Sequence, residues 1–162
     1  MEIEIEPLTP ARFAPFGSVI EPDGQTPLQR FDQVHAHGGA ARVPGLALFT
    51  VEAAVALPCE IHQIERHPHS AQTFLPLLGG ACLVFACESD ADGAPRPETG
   101  RAFLASGRQG VCYARGVWHH RVTALEAPSR YAVIMTHAPA GEDTVLFDLP
   151  RPVRAVPGPN GR

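Results

Sequence analysis

The apolar positions of this chain fall in short runs divided by turn residues. Residues 1–6 alternate apolar and acidic side chains and predict a short strand. Thr9 is placed to cap, and Pro10 to open, a single helical turn that Pro15 and Gly17 end. Ser18-Val19-Ile20 begins another extended piece, and the polar, glycine-bearing stretch 21–43 reads as loop with at most one strand. Residues 45–53 and 59–67 read as strands. In the second, both faces mix polar and apolar side chains, so periodicity does not say which points inward. Phe74 to Pro76 is short and extended. Ala81 to Cys87 is apolar on both faces, the pattern of a strand buried on both sides. Residues 89–100 read as a turn-rich surface loop, and 101–105, 110–114, 119–124 and 130–136 as four further strands. From Arg151 the chain carries three prolines and two glycines and is expected to be poorly ordered unless docked. About nine or ten short strands predict an all-β barrel or sandwich, one domain over residues 1–150 with a tail at 151–162.

A length of 162 residues suits one domain with a core that needs no disulfide. Hydrophobic residues make up 44% and charged residues 19%, the balance of a soluble globular chain. The net charge of −4 lacks the basic excess of a nucleic-acid binder. All 13 basic residues are arginine, which excludes Schiff-base, P-loop and lysine-base chemistry. Cys59, Cys82, Cys87 and Cys112 form no CxxC pair and read as reduced, mostly buried thiols. The first residues show no signal-peptide pattern, and no apolar run approaches the ~18–20 residues of a membrane span. A cytoplasmic location without a membrane partner is the expectation.

Two segments carry polar groups where the pattern otherwise builds a core. The first, Glu65-Arg66-His67-Pro68-His69-Ser70-Ala71-Gln72, gathers ionisable side chains whose burial costs free energy unless they are paired or used. The second, Tyr113-Ala114-Arg115-Gly116-Val117-Trp118-His119-His120, places a turn glycine just ahead of an indole and two imidazoles. His67, His69 and His119 are candidate ligands of a divalent metal ion, with Gln72 or Glu65 as an additional partner. Pro68 interrupts the strand, so His67 and His69 need not share a face. The same histidines serve equally well as a general acid and base, and the sequence does not separate the two roles. Arg66 and Arg115 are candidates for holding a carboxylate. Trp118 is placed to pack beside a substrate.

The His-x-His pair followed by Gly-x-x-His resembles the two halves of the cupin motif. The match is partial, because Gln72 stands near where that motif usually has a glutamate ligand. More specifically, Glu65-Arg66-His67-Pro68, Gln72-x-Phe74-x-Pro76 and Tyr113-x-Arg115-x-Val117-Trp118-His119-His120 resemble the ureidoglycolate lyase family (also called ureidoglycolate hydrolases). Gln109-Gly110-Val111 and Leu8-Thr9-Pro10 through Ile20 fit as well. The chain departs from the family at Glu52, where relatives often carry a basic residue, and at His69, where they usually carry a small or apolar one.

The resemblance implies a cupin-like β-barrel of the jelly-roll kind, a homodimer, and a role in allantoin and purine breakdown. The implied reaction splits ureidoglycolate into glyoxylate and urea. His67, His119 and Gln72 are then the catalytic candidates, and Arg66, Arg115, Trp118 and Glu65 the substrate-binding ones. No organic cofactor is implied. Two other readings share the fold: a metal-dependent isomerase, decarboxylase or dioxygenase acting on a small 2-oxo or 2-hydroxy acid, and a non-catalytic barrel that binds such acids.

Overall fold

The computed structural model describes residues 1–39, 41, 43–138 and 143–158. The alternating start forms β1 (Glu2–Pro7), followed by the one-turn helix α1 (Pro10–Phe13). The Thr9 hydroxyl caps α1 by accepting from the Arg12 amide at 3.3 Å. Phe13 on this turn is fully buried against Phe16, Phe103 and Tyr113. Next come β2 (Gly17–Ile20), a 3-10 turn (Asp32–His35), β3 (Val43–Val51), β4 (Cys59–Arg66), β5 (Gln72–Leu78) and β6 (Cys82–Ser89). The chain continues through β7 (Pro95–Ala105), β8 (Gly110–Tyr113), β9 (Trp118–His119), β10 (Thr123–Ala124), β11 (Ser129–His137) and β12 (Val145–Pro157). Among the described residues no helix is long and apolar enough to cross a membrane.

The strands form two sheets. One is ordered β10-β6-β7-β1-β12-β4-β9, and β9 also pairs with β6, so six of its strands close into a ring. The other is ordered β2-β8-β5-β11-β3. This is the closed all-β barrel that the strand pattern and the resemblance lead one to expect.

Two apolar cores follow from the ring. Leu83, Phe85 and Cys87 of β6 point into it and meet Ile61, Ile64, Ala102, Trp118, Val153 and Ala155. The alternate residues Cys82, Val84 and Ala86 point out of it and pack against Phe74, Val111, Tyr113 and Tyr131 of the second sheet. The doubly apolar run 82–87 is thus the shared wall of both cores. Burial of side chains on both faces of one strand is what lets a domain of this size stand without disulfides.

Three expectations need correction. Residues 95–100 are not surface loop: they are the first half of β7, and Arg96 and Pro95 pair with Glu88 and Ser89. The 119–124 segment is two strands of two residues each, separated by a break. Residues 151–157 are strand rather than tail. Docking supplies what the composition lacks, because β12 pairs in parallel with β1 and antiparallel with β4, and Val153 and Ala155 are fully buried. Its prolines fall where β12 slips register between Asp148 and Val153, and at its end. Residues 159–162 lie outside the described residues.

All four cysteines are free. Burial raises the thiol of Cys87 to about 12 and that of Cys82 to about 11, and raises those of Cys112 and Cys59 as well. A thiol is reactive as thiolate, so the native protein at pH 8 is expected to consume a disulfide reagent such as DTNB slowly, at half-buried Cys59 alone. Four fast equivalents without denaturant would overturn that burial.

Candidate active site

The site lies where the ring faces the second sheet. β4 brings Glu65 and, one residue past its end, His67. β9 brings His119, which is the register partner of Glu65. The second sheet contributes a row across three neighbouring strands, because Gln72 on β5 pairs with both Tyr113 on β8 and Met135 on β11. Gly116 permits the turn into β9 with φ of +79°, and its amide donates to the His67 carbonyl at 2.9 Å. That bond ties the two motif segments together.

Each imidazole is oriented by a main-chain carbonyl. His67 Nδ1–H donates to the Asp143 carbonyl at 2.8 Å, and His119 Nδ1–H to the Val117 carbonyl at 2.9 Å. Both Nε2 atoms face Glu65 Oε1, at 3.8 Å from His67 and 3.6 Å from His119. Gln72 Oε1 stands 3.0 Å from His119 Nε2, while its Nε2 has only the Met135 sulfur at 3.9 Å. Both histidines are buried, and Glu65 is 22% exposed. Tyr113 stacks flat on His119, ring centroids 4.0 Å apart and 15° from parallel.

The charges respond to one another. The histidines, His119 first, hold the Glu65 carboxyl well below the ordinary carboxylate range. Burial opposes charge on His67, but Glu65 and the Asp143 carbonyl outweigh it and raise its pKa. At His119 burial wins and the pKa falls. The carboxylate is favoured as the anion, and positive charge is favoured on His67 over His119.

Glu65, His67 and His119 offer ligand atoms that lie within 4.8 Å of one another. His67 Nε2 is buried without a partner, and so is the Tyr113 hydroxyl. Three potential ligand atoms converge, and Gln72 Oε1 adds a fourth oxygen at the rim of the cluster. Two imidazoles, a carboxylate and a carbonyl oxygen form a donor set suited to a divalent transition metal, with each imidazole braced through its other nitrogen. The residues present fit such an ion.

His69 does not join this cluster. β4 ends before Pro68, and the His69 ring lies over Gly39, in the space a Cβ there would occupy. Glu65 takes the third position that the His-x-His reading gave to His69. Arg66 is also turned away. It donates to the Gly93 carbonyl at 2.6 Å and sits 4.9 Å over the ring of Trp118, whose indole N–H donates to the same carbonyl at 3.0 Å. Trp118 belongs to the core inside the ring. Arg115 is exposed, lies against Gly38, and makes no hydrogen bond or ion pair among the described residues.

Sequence reasoning missed Asp143. Its carboxylate, buried beside the site, accepts from the His69 amide at 2.6 Å and from the Ser70 hydroxyl, while its carbonyl orients His67. No local pattern marks it, because it reaches the site from the far side of β11. Tyr113 stood in the quoted motif without a role. A cavity of about 280 Å³ beside β4 is lined by Glu60, His62, Glu65 and His120, among others, and reaches neither His67 nor His119.

Sequence comparisons with known proteins agree on one family. A family model described as ureidoglycolate lyase matches residues 1–154. A relative in Agrobacterium fabrum is 41% identical over 151 residues, covering 93% of each chain. The ureidoglycolate lyase of Azotobacter vinelandii is 40% identical over 146 residues, 82% of this chain and 83% of that one. That of Pseudomonas savastanoi pv. phaseolicola is 41% identical over 139 residues, 80% of each. Among solved structures, oxalate decarboxylase of Lactobacillus farciminis in a formate complex overlaps 64% of this chain and 26% of its own, at 11% identity and a TM-score of 0.43. Nothing is carried over from so partial an overlap. Agreement along nearly the whole length, through both motif segments and the strands that hold them, places the chain in the ureidoglycolate lyase family.

Proposed function

We propose that this protein is a ureidoglycolate lyase that splits ureidoglycolate into glyoxylate and urea, a carbon–nitrogen cleavage of the amidine-lyase kind in allantoin and purine breakdown. The observation that carries the site assignment is the convergence of Glu65 Oε1, His67 Nε2 and His119 Nε2 within 4.8 Å of one another. These three residues, with Gln72 beside them, would hold a divalent ion. When bound, such an ion supplies Lewis acidity toward a substrate hydroxyl and carboxylate.

The remaining chemistry belongs to the chain. In ureidoglycolate one carbon carries a hydroxyl, a carboxylate and the ureido nitrogen. Loss of the hydroxyl proton forms the aldehyde C=O of glyoxylate as the C–N bond breaks. The bond's electron pair goes to nitrogen, which takes up one proton to become urea. Glu65 moves that proton: its Oε1 faces the histidines, and Oε2 is left to accept from the hydroxyl and return the proton to nitrogen. The Gln72 amide N–H, which has only a sulfur for company, binds the ureido group. Arg115, uncommitted among the described residues, holds the carboxylate in place of Arg66.

A second reading dispenses with the ion. Neutral His119 accepts the hydroxyl proton and charged His67 protonates nitrogen, a division favoured by the opposite pKa shifts of the pair. One experiment tests both. Purified protein with ureidoglycolate is expected to release urea and glyoxylate in equal amounts without ammonia. Activity is expected to vanish in chelator and return with one added divalent ion. Full activity in chelator would select the second reading, and ammonia release would overturn the elimination.

The protein works in the cytoplasm as a homodimer, with a small-molecule substrate and no nucleic-acid partner. The edge strand β3 is the candidate seam. Its nine residues carry no charge and expose Leu46 and Leu48 by 71% and 75%. An apolar, uncharged sheet edge invites pairing, and a second copy running antiparallel would satisfy it.

A further inference from the structure

The candidate ligands stand on opposite sides of the thinnest joint in the ring. β9 is two residues long, and its pairing with β4 is the single pair Glu65↔His119. Two more pairs join it to β6. So short a strand has little hydrogen bonding of its own with which to fix the distance between Glu65 and His119, yet a metal or proton-transfer site tolerates only small errors in geometry. Beyond the ladder and the Gly116 amide's bond to the His67 carbonyl, side chains are left to hold this joint.

The residues interleaved with the ligands are placed to do so. Arg66 lies between Glu65 and His67, and Trp118 precedes His119. Strand alternation turns both away from the ligand side. There the guanidinium of Arg66 lies 4.9 Å over the indole of Trp118, and both donate to the carbonyl of Gly93 at the tip of the β6–β7 hairpin. One acceptor thus gathers a donor from each side of the joint. Gly93 has φ of +83°, and a Cβ there would stand 2.8 Å from Arg66 Nη1. The hairpin tip therefore needs glycine both for its backbone and for the approach of the guanidinium.

We propose that Arg66, Trp118 and the Gly93 carbonyl form a tie behind the site, and that Arg66 and Trp118 are positioning residues rather than substrate contacts. This accounts for the form of both motif segments, in which each ligand has a chain neighbour aimed at the same carbonyl. The metal part of the proposal rests on the divalent-ion reading above; the mechanical part does not.

Trp118→Phe removes the indole N–H and keeps an aromatic ring in the core. Gly93→Ala displaces the carbonyl from 25 or more residues away in sequence. Arg66→Lys keeps the charge and loses the planar fork. Mn²⁺ binding is measured by titration calorimetry, amide hydrogen exchange at the β4–β9 joint by mass spectrometry without metal, and kcat and KM separately. Trp118→Phe and Gly93→Ala are expected to weaken Mn²⁺ binding by roughly 10-fold, the lower end of what outer supporting partners contribute. Exchange at the joint is expected to quicken, kcat to fall with KM little changed, and the double variant to be no worse than either alone. Parent-like exchange and affinity in both variants would overturn the tie. A rise in KM alone for Arg66→Lys would make Arg66 a substrate contact after all. If the parent itself takes up no Mn²⁺, the ion reading fails, and hydrogen exchange alone decides the tie.

Discussion

Alanine in place of His67 or His119 is expected to reduce ureidoglycolate turnover by at least ~10²-fold, the range associated with removing one proton-transfer group or one ligand of a catalytic ion. The expectation holds under either reading of the site, because both use the Nε2 atoms that face Glu65. The His119 variant should show the larger loss, since that ring also carries the stacking contact with Tyr113 and the approach of Gln72. A change in acid sensitivity should accompany it. Glu65 has a folded pKa below its unfolded value, so its contribution to stability is present above the ordinary carboxylate range and is lost as pH falls through the folded value. Without its first-named partner His119, the folded pKa rises toward normal and acid unfolding begins at higher pH. Activity assays on the folded variants, with thermal melts from neutral pH downward, check both parts. Near-parent turnover in both variants would remove the two histidines from the chemistry.

Ending the chain at Pro150 is expected to abolish folding, not trim a tail. Residues 151–157 supply the second half of β12, which lies between β1 and β4. Without them β1 loses Arg154, Ala155, Val156 and Pro157 as register partners, and β4 loses Val153, Arg154 and Ala155. Val153 and Ala155 also leave the inner core, where both are fully buried. The ring then opens at two neighbouring strands, exposing unpaired edges beside apolar side chains, the combination most prone to aggregation. The truncated chain should be recovered insoluble, or without the sharp melt of a cooperative barrel. A chain ending after Pro157 should behave like the full sequence. A soluble, cooperatively melting chain ending at Pro150 would show that the ring does not need its last strand.

The parts of this structure legible in the sequence are those whose signal is local. The doubly apolar run 82–87 announced a buried strand, and Thr9-Pro10 announced a capped turn. The clustering of ionisable groups around His67 and His119 pointed to the candidate site. What escaped depended on partners distant in sequence. Residues 151–157 look like a tail because their prolines oppose strand formation, and only pairing with β1 and β4 reverses that. His69 looked like a ligand because a His-x-His pair on an unbroken strand shares a face. Pro68 breaks the strand, so Glu65 comes in instead. Arg66 looked like a carboxylate binder because nothing local reveals the Gly93 carbonyl that occupies it. Asp143 carries no signal at all, since its role depends on a contact with a histidine 76 positions earlier.

The placing of β1 between β7 and β12 has a consequence for synthesis. β1 is made first and β12 after every other strand of the ring, yet the two are neighbours. During translation, at ~5–20 residues per second, Leu83, Phe85 and Trp118 leave the ribosome long before Val153 and Ala155 arrive to cover them. Closure cannot spread from the amino terminus. It waits for the last strand, because the ring that carries the site cannot close until β12 is available to β1 and β4.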